Sequence, residues 1–460
     1  MTIWLPDISG PGTRYHRIAD ALAAAVADGT LAPGAALPPQ RALAHALGLS
    51  LGTVTRAYDE ARRRGLLEGE RGRGTFVRRR DGAAARDASY FQASSSGVVD
   101  LGLNLPVPGP ADRRLPEALE ELSRDGRLAA RFGRGVPGAD PRHAEAGARW
   151  LARLGLAADP ARTLVTVGGQ HALLVAFMAA AVPGAAVLVE PHTFPPVRQI
   201  ARHLQLSLHP VAVDAEGVLP EALDQACRAT RARVAYLMPT LQSPTTATMS
   251  ATRRAEVAAV SVRHGLMVIE DDVYGHLPAS RPAPLAEHAP GHCMLVGGLS
   301  KAIAPWLRVG YLHVPERLAT AARNAVAMSC WSPPPFGPEL ATRWIDDGSA
   351  DAMLAWQRAE VAARQAIARS ALGARAAASS PDGLHLWLRL PPGFRPSAFQ
   401  AAAERAGVRV VASATFAVAG DGDPAIRLGL GNPATREELR RGVEAVARLL
   451  AEGPADEGVV

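Results

Sequence analysis

The chain has 460 residues, too many for one ordinary core, so two or three domains are expected. With 48% apolar residues it has the material for sizeable folded cores, which excludes a wholly disordered chain. The net charge of +6 is uneven: residues 1–80 hold twelve arginines against seven acidic residues, and the rest is nearly neutral. A basic first segment on a neutral body points to a polyanionic partner for that segment, although a solvated basic surface would look the same. The three cysteines, Cys227, Cys293 and Cys330, are scattered and match no metal-ligand pattern. They exclude a disulfide framework and fit a reducing, cytoplasmic setting. No basic stretch leads into an apolar one at the start, so no signal peptide is read, and no apolar run reaches membrane length.

In chain order, residues 14–28 read as an amphipathic helix with Ile18, Leu22 and Val26 on one stripe. Pro33, Gly34, Pro38 and Pro39 interrupt the next stretch. A short helix follows from Gln40 to Leu47 and stops at Gly48. Ser50 suits the N-cap of a third helix that runs to Arg64 and ends at Gly65, with Val54 and Tyr58 turned inward. Leu66–Glu70 and Gly74–Arg78 read as a hairpin around Gly72. Three helices and a hairpin in this order predict a winged helix-turn-helix over residues 1–78.

Residues 79–99, rich in Arg, Ala, Ser and Gly, read as a linker. From residue 100 to 452, apolar β-like runs alternate with helical stretches, and 453–460 read as a disordered tail. The runs Val187–Glu190, Val234–Met238, Leu266–Asp271, Met294–Gly297 and Val309–Val314 predict buried strands. This alternation predicts an α/β body around a largely parallel or mixed sheet.

Of the 50 basic residues, only Lys301 is a lysine. Arg serves wherever charge is enough, because its guanidinium stays protonated. Lysine can act as a neutral amine and form Schiff bases with carbonyl compounds. A Schiff-base lysine serving pyridoxal phosphate needs an acid for the pyridine nitrogen, a hydroxyl near the ring phenolate and an anion cradle for the phosphate. Asp271 ends a predicted strand and Tyr274 follows three residues later. Gly168, Gly169 and Gln170 lie between a β-like run (Leu164–Val167) and a helix expected from His171. Ser300 precedes Lys301, and Arg308 follows it after Pro305.

The first segment resembles the GntR family of bacterial regulators through LPPQRALA (37–44), SLGTVTRAYDEARRRGLL (50–67) and GRGTFV (72–77). The resemblance implies a double-stranded DNA partner, a third helix in the major groove and a wing near the backbone. By position the DNA-facing residues are then Arg41, Ser50, Thr53, Thr55, Arg56 and Arg73. Arg suits a guanine edge or a phosphate, and hydroxyls at a helix N-terminus suit phosphate oxygens.

Residues 100–450 resemble fold-type I aminotransferases, and together with the head they resemble the MocR subfamily. The motifs are TVGGQHAL (166–173), PTLQSPTTATMS (239–250), IEDDVYGHL (269–277), GGLSKAIAPWLRVGYL (297–312), GLHLWLRLP (383–391) and IRLGLGN (426–432). The resemblance implies pyridoxal 5'-phosphate as cofactor, held as an internal aldimine by Lys301, with Asp271 at the pyridine nitrogen and Tyr274 at the phenolate. It implies phosphate contacts from Gly169, Gln170, Ser300 and Arg308, a carboxylate contact from Arg427, and a homodimer. The chain departs from the pattern at four places. Ser243 stands where the family has Asn before Pro244, and Phe194 where a Tyr stacks on the ring. Gly298 stands where a Ser or Thr contacts the phosphate, and no Tyr lies around Phe132–Gly138. Three functions remain open at this level. One is a regulator that senses pyridoxal phosphate, an amino acid or an amine; another is a working aminotransferase with a DNA-binding head; the third is a plain DNA-binding protein with a degenerate, cofactor-free body.

Overall fold

The computed structural model describes residues 4–6, 13–27, 30–31, 35–63, 66–70, 74–77, 97–128, 132, 140–376, 379–420 and 422–454. The chain divides into two compact units, Met1–Ser89 and Tyr90–Val460. None of the described helices is long and apolar enough to cross a membrane.

The head contains helices α1 (Arg14–Ala27), α2 (Gln40–Leu47) and α3 (Leu51–Arg63), then strands β1 (Leu67–Glu70) and β2 (Gly74–Val77). β1 and β2 pair antiparallel, and Ala36 bridges to Phe76. Ile18, Leu22, Leu43, Val54, Tyr58 and Val77 are buried together, so the apolar stripe of each helix faces one small core. Gly48 ends α2 in the left-handed region (φ 63°), which glycine enters without a side-chain clash. This is the winged helix-turn-helix that the periodicity predicts.

In the body, Val99 already belongs to a strand. β3 (Val99–Asp100) pairs with a later strand at Val408 and Arg409, so Val99, the last residue of the stretch read as a linker, lies in a strand. The remaining strands are β4 (Thr163–Thr166), β5 (Ala186–Val189), β6 (Ser207–Pro210), β7 (Val213–Asp214), β8 (Gly217–Val218), β9 (Val234–Leu237), β10 (Met267–Asp271), β11 (Cys293–Gly298), β12 (Gly310–His313), β13 (His385–Arg389), β14 (Val408–Arg409), β15 (Val411–Ala412) and β16 (Ala425–Gly429). The large sheet runs β4-β12-β11-β10-β9-β5-β6. It is mixed, because β12 pairs antiparallel with both neighbours while the other contacts are parallel. Apolar clusters cover both faces, which is why these strands read as continuous apolar runs. A smaller antiparallel sheet, β13-β16-β15, forms a separate core with helices Ser349–Leu372, Pro396–Arg405 and Arg436–Glu452.

Two local features position the polar groups at the ends of the large sheet. The helix expected from His171 begins at Gly168, because the two glycines form its first turn. On β10, alternate side chains face opposite sides: Val268 joins one core, Met267 and Ile269 the other. Glu270 thus accepts bonds from the Leu285 and Ala286 amides (2.9 Å each) at the start of helix Leu285–His288, while Asp271 faces the opposite side.

Candidate cofactor site and DNA-binding surface

The body's site lies at the carboxyl ends of the sheet strands, where an α/β sheet leaves a crevice. Asp271 ends β10 and is buried, and its Oδ2 accepts a hydrogen bond from the Tyr236 hydroxyl at 2.7 Å. Burial pushes its carboxyl up to about 6, against the lowering effects of Tyr236 and of nearby Lys301. An ionised acid there needs a positive partner, and a protonated pyridine nitrogen supplies one. Two strands along the sheet, Glu190 follows β5 and is buried too. It accepts from the Met238 amide (3.3 Å) and the Gln242 side-chain amide (3.4 Å). Burial, assisted by the charge of Asp271, raises its carboxyl to about 8.

Lys301 follows β11 and is half-buried. Its Nζ donates to the Asn104 carbonyl and stands 5.7 Å from the centre of the Tyr274 ring. Loss of water lowers its amine to about 8, as does the positive charge of Arg427 and Arg308, while Asp271 opposes them. An amine so shifted has a substantial neutral, nucleophilic fraction near neutral pH. The Tyr274 hydroxyl accepts from the Asn104 side-chain amide at 2.8 Å. Arg427, on β16, is fully buried, donates to the Gly102 carbonyl and lies 4.8 Å over the Phe416 ring.

Nearby is a cradle for an anion. Gly168 has φ 78°, and a Cβ there would come within 2.7 Å of the Arg308 guanidinium. Arg308 donates to the Val167 carbonyl at 3.3 Å, at the N-terminus of the helix Gly168–Ala180. The Ser300 hydroxyl is buried with no protein partner. Helix amides, a guanidinium and a hydroxyl wanting a partner fit a phosphate. Gly169 stands in the first helical turn, where a Cβ would be 3.0 Å from Val273; Gln170 is exposed. Ser243 is buried before Pro244 across a cis bond, and its hydroxyl also has no protein partner. Phe194 is half-buried against the cluster containing Ile269 and Tyr274. Gly298 has a physical reason for bearing no hydroxyl: a Cβ would stand 2.9 Å from the Val309 carbonyl on the adjacent strand segment. The stretch after Phe132, residues 133–138, lies outside the described residues.

Thus Lys301, Asp271, Tyr274, Arg308 and Arg427 are coupled through short contacts or charge. Asn104, Tyr236, Glu190 and His385 join them, although sequence reasoning does not single them out. Asn104 Nδ2 lies 3.0 Å from His385 Nδ1, and Tyr236 is linked to Asp271. The only sequence signal is a polar residue inside an apolar run, as in LNLP (103–106) and LHLW (384–387).

In the head, Arg41 and Arg56 are exposed on α2 and α3. Ser50 caps α3, its hydroxyl accepting from the Thr53 amide at 3.2 Å and lying 2.9 Å from the Thr53 hydroxyl. Thr55 donates to the Gln40 side chain at 2.9 Å, fastening α3 to α2. Arg73 lies outside the described residues.

Fold and site together define a pyridoxal-phosphate protein of the aminotransferase type that carries a winged helix-turn-helix head. Residues 96–446 match the family "Aminotransferase class I and II", and residues 14–77 match "Bacterial regulatory proteins, gntR family". The chain belongs to the aminotransferase class I and II family. It is 29% identical over 453 residues to the uncharacterized HTH-type transcriptional regulator YdeF of Bacillus subtilis, covering 97% of this chain and 96% of that one. It is 29% identical over 392 residues to the vitamin B6 salvage pathway transcriptional repressor PtsJ of Salmonella typhimurium, covering 84% and 88%. An archaeal alanine:glyoxylate aminotransferase superposes with a TM-score of 0.71 at 22% identity, covering 80% of this chain and 97% of that one. LysN, the α-aminoadipate aminotransferase of Thermus thermophilus complexed with N-(5'-phosphopyridoxyl)-L-leucine, gives 0.69 at 24%, covering 80% and 97%.

The buried carboxyl pair gives a stability test. Glu190 has a raised folded value, so the folded state holds its proton more tightly than the unfolded state does. Its contribution is full below its ordinary value near 4.5 and is lost as pH rises towards about 8. Glu190→Gln should therefore reduce the fall in thermal midpoint between pH 5 and pH 8, measured by calorimetry. An unchanged fall would show that Glu190 is not the group responsible.

Proposed function

We propose that the chain is a DNA-binding transcription regulator whose body holds pyridoxal phosphate at Lys301 and senses pyridoxal phosphate itself, an amino acid or an amine. The carrying observation is that the one lysine of the chain stands with a lowered pKa among Asp271, Arg308 and Arg427. Bound there, the cofactor supplies an electrophilic carbonyl carbon and an electron-withdrawing ring. Asp271, oriented by Tyr236, holds the positive charge of the pyridine nitrogen. Tyr274 orients the ring through its phenolate oxygen, with Ser243 beside Pro244 and Phe194 completing the ring's surroundings. Gly169, Gln170, Ser300 and Arg308 hold the phosphate. Arg427 receives an α-carboxylate, for which a buried guanidinium is geometrically suited. The printed role of PtsJ in vitamin B6 salvage supports a ligand of this class.

The DNA reading assigns α3 to the major groove, with Arg56 and the Ser50–Thr53 turn towards the duplex, and Arg41, Thr55 and Arg73 supporting. Two heads on a homodimer would meet two half-sites. Dimerisation of the body is supported by Met328 and Trp331, which are 77% and 64% exposed. Ser329, between them, bonds to His171 in the helix of the phosphate cradle (2.8 Å). A ligand shifts DNA binding only by its difference in affinity for the two arrangements. The test is an operator-binding titration with and without pyridoxal phosphate, an amino acid or an amine; no ligand-dependent change would overturn the sensing role.

Arg56→Ala should weaken operator binding by roughly 1–3 kcal/mol at fixed salt. Unchanged affinity would remove Arg56 from the interface. A second reading, a working aminotransferase with a DNA-binding head, is favoured by the lowered amine of Lys301. Sustained turnover of an amino acid with a 2-oxo acid would decide for it.

A further inference from the structure

The motif IRLGLGN (426–432) places two glycines two residues apart, and the structure gives the reason. A Cβ on Gly429 would stand 2.2 Å from the Leu103 carbonyl, and one on Gly431 1.9 Å from that of Leu105. The segment Asp100–Leu105 therefore runs hard against the end of β16. The Gly429 amide donates to the Leu101 carbonyl (2.6 Å), and the Asn432 side chain to that of Asp100 (3.1 Å). Asp100 Oδ1 accepts from the Gly102 and Leu103 amides (2.7 and 3.2 Å), and β3 pairs with β14.

This one segment also touches the groups assigned to ligand. The Asn104 carbonyl accepts from Lys301 Nζ, and the Gly102 carbonyl accepts from Arg427. Asn104 is 5% exposed, and its Nδ2 bonds to the Tyr274 hydroxyl at 2.8 Å. Burial and the charge of Arg427 keep His385 neutral, its value lowered to about 3, so its Nδ1 can accept from the same Nδ2 at 3.0 Å. Asn104 Oδ1 is buried with no protein partner.

We propose that Asn104 is a positioning residue of the cofactor site, and that its segment, Asp100–Leu105, loosens when ligand engages Lys301 and Arg427. The proposal rests on the assignment of Lys301 to pyridoxal phosphate. When the lysine amine joins the aldehyde carbon, a C=N bond forms and the aldehyde oxygen leaves as water with two amine hydrogens. The nitrogen keeps at most one hydrogen, committed within the plane of the new linkage, so the bond to the Asn104 carbonyl is given up. A carboxylate at Arg427 competes in the same way with the neutral Gly102 carbonyl, because charge-assisted bonds are the stronger. In sequence, the segment lies directly after residues 79–99, the stretch read as a linker.

The experiment is hydrogen exchange by mass spectrometry on the full chain, with and without pyridoxal phosphate, the visible absorbance of bound cofactor being recorded on each sample. Peptides covering 99–105 should exchange roughly fivefold faster with cofactor, the change expected when one ordinary hydrogen bond is given up. In Lys301→Ala the same peptides should exchange fast from the start and ignore the cofactor. Asn104→Ala should weaken cofactor binding roughly tenfold through the loss of its two side-chain bonds. Bound cofactor with unchanged or slower exchange at 99–105 overturns the proposal while leaving the Lys301 assignment intact. Absence of bound-cofactor absorbance overturns both.

Discussion

Lys301→Ala should abolish covalent capture of pyridoxal phosphate completely. After incubation and reduction with borohydride, the wild-type chain should gain the mass of one phosphopyridoxyl group, and the variant none at this site. Lys301 is the only lysine, so the α-amino group is the sole competing primary amine. Lys301→Arg separates charge from chemistry: it keeps a cation beside Asp271, yet a guanidinium stays protonated and forms no stable imine with the aldehyde. Both variants should therefore lose the mass gain and any response of operator binding to pyridoxal phosphate. The rate of capture should rise with pH through about 8, the lowered value of this amine, and level off beyond it. A rate still climbing towards the ordinary lysine value of 10.5 would mean that the amine keeps its water. Labelling of the Ala variant equal to wild type would remove Lys301 from the site.

The head is legible in the sequence because each helix carries a clean apolar stripe and the turns carry Pro or Gly, so periodicity locates α1, α2 and α3 to within a residue or two. The body's central strands are legible because both faces of the sheet are buried, which makes apolar runs. Lys301 stands out by composition alone. The order of the strands does not, because β12 inserts between β4 and β11 through contacts far apart in sequence. Gly168 and Gly169 read as a turn before the helix, since glycine has no side chain to show periodicity. Asn104 is hidden because its partners lie 170 and 281 residues away, and a single polar residue in an apolar run gives no clue to what it meets. Glu190 reads only as the end of a strand; its contact with Gln242 depends on how the loops fold over the sheet. Gly298 looks like a lost phosphate contact, whereas the adjacent Val309 carbonyl leaves no room for a side chain.

The glycines of IRLGLGN make the second large prediction. Gly431→Ala should destabilise the body by about 3 kcal/mol or displace the Asp100–Leu105 segment, because the new methyl meets backbone on its near side. A flexible side chain could swing away at low cost, but the obstacle is the Leu105 carbonyl at 1.9 Å, with the Leu105 carbonyl carbon at 3.0 Å. The neighbouring Gly429 amide and Asn432 side chain hold the same segment, so relief of the clash must break bonds elsewhere. Displacement of the segment would move Asn104 away from Tyr274, so cofactor affinity should then fall together with the thermal midpoint. Gly291→Ala is the control: nothing lies within 4 Å of its would-be Cβ, and its change should stay within about 0.5 kcal/mol. Calorimetry of the two variants, with pyridoxal phosphate titrations on each, separates the cases. If Gly431→Ala matched the control in both measurements, the close passage of this segment against β16 would be wrong, and with it the hold of the segment on the cofactor site.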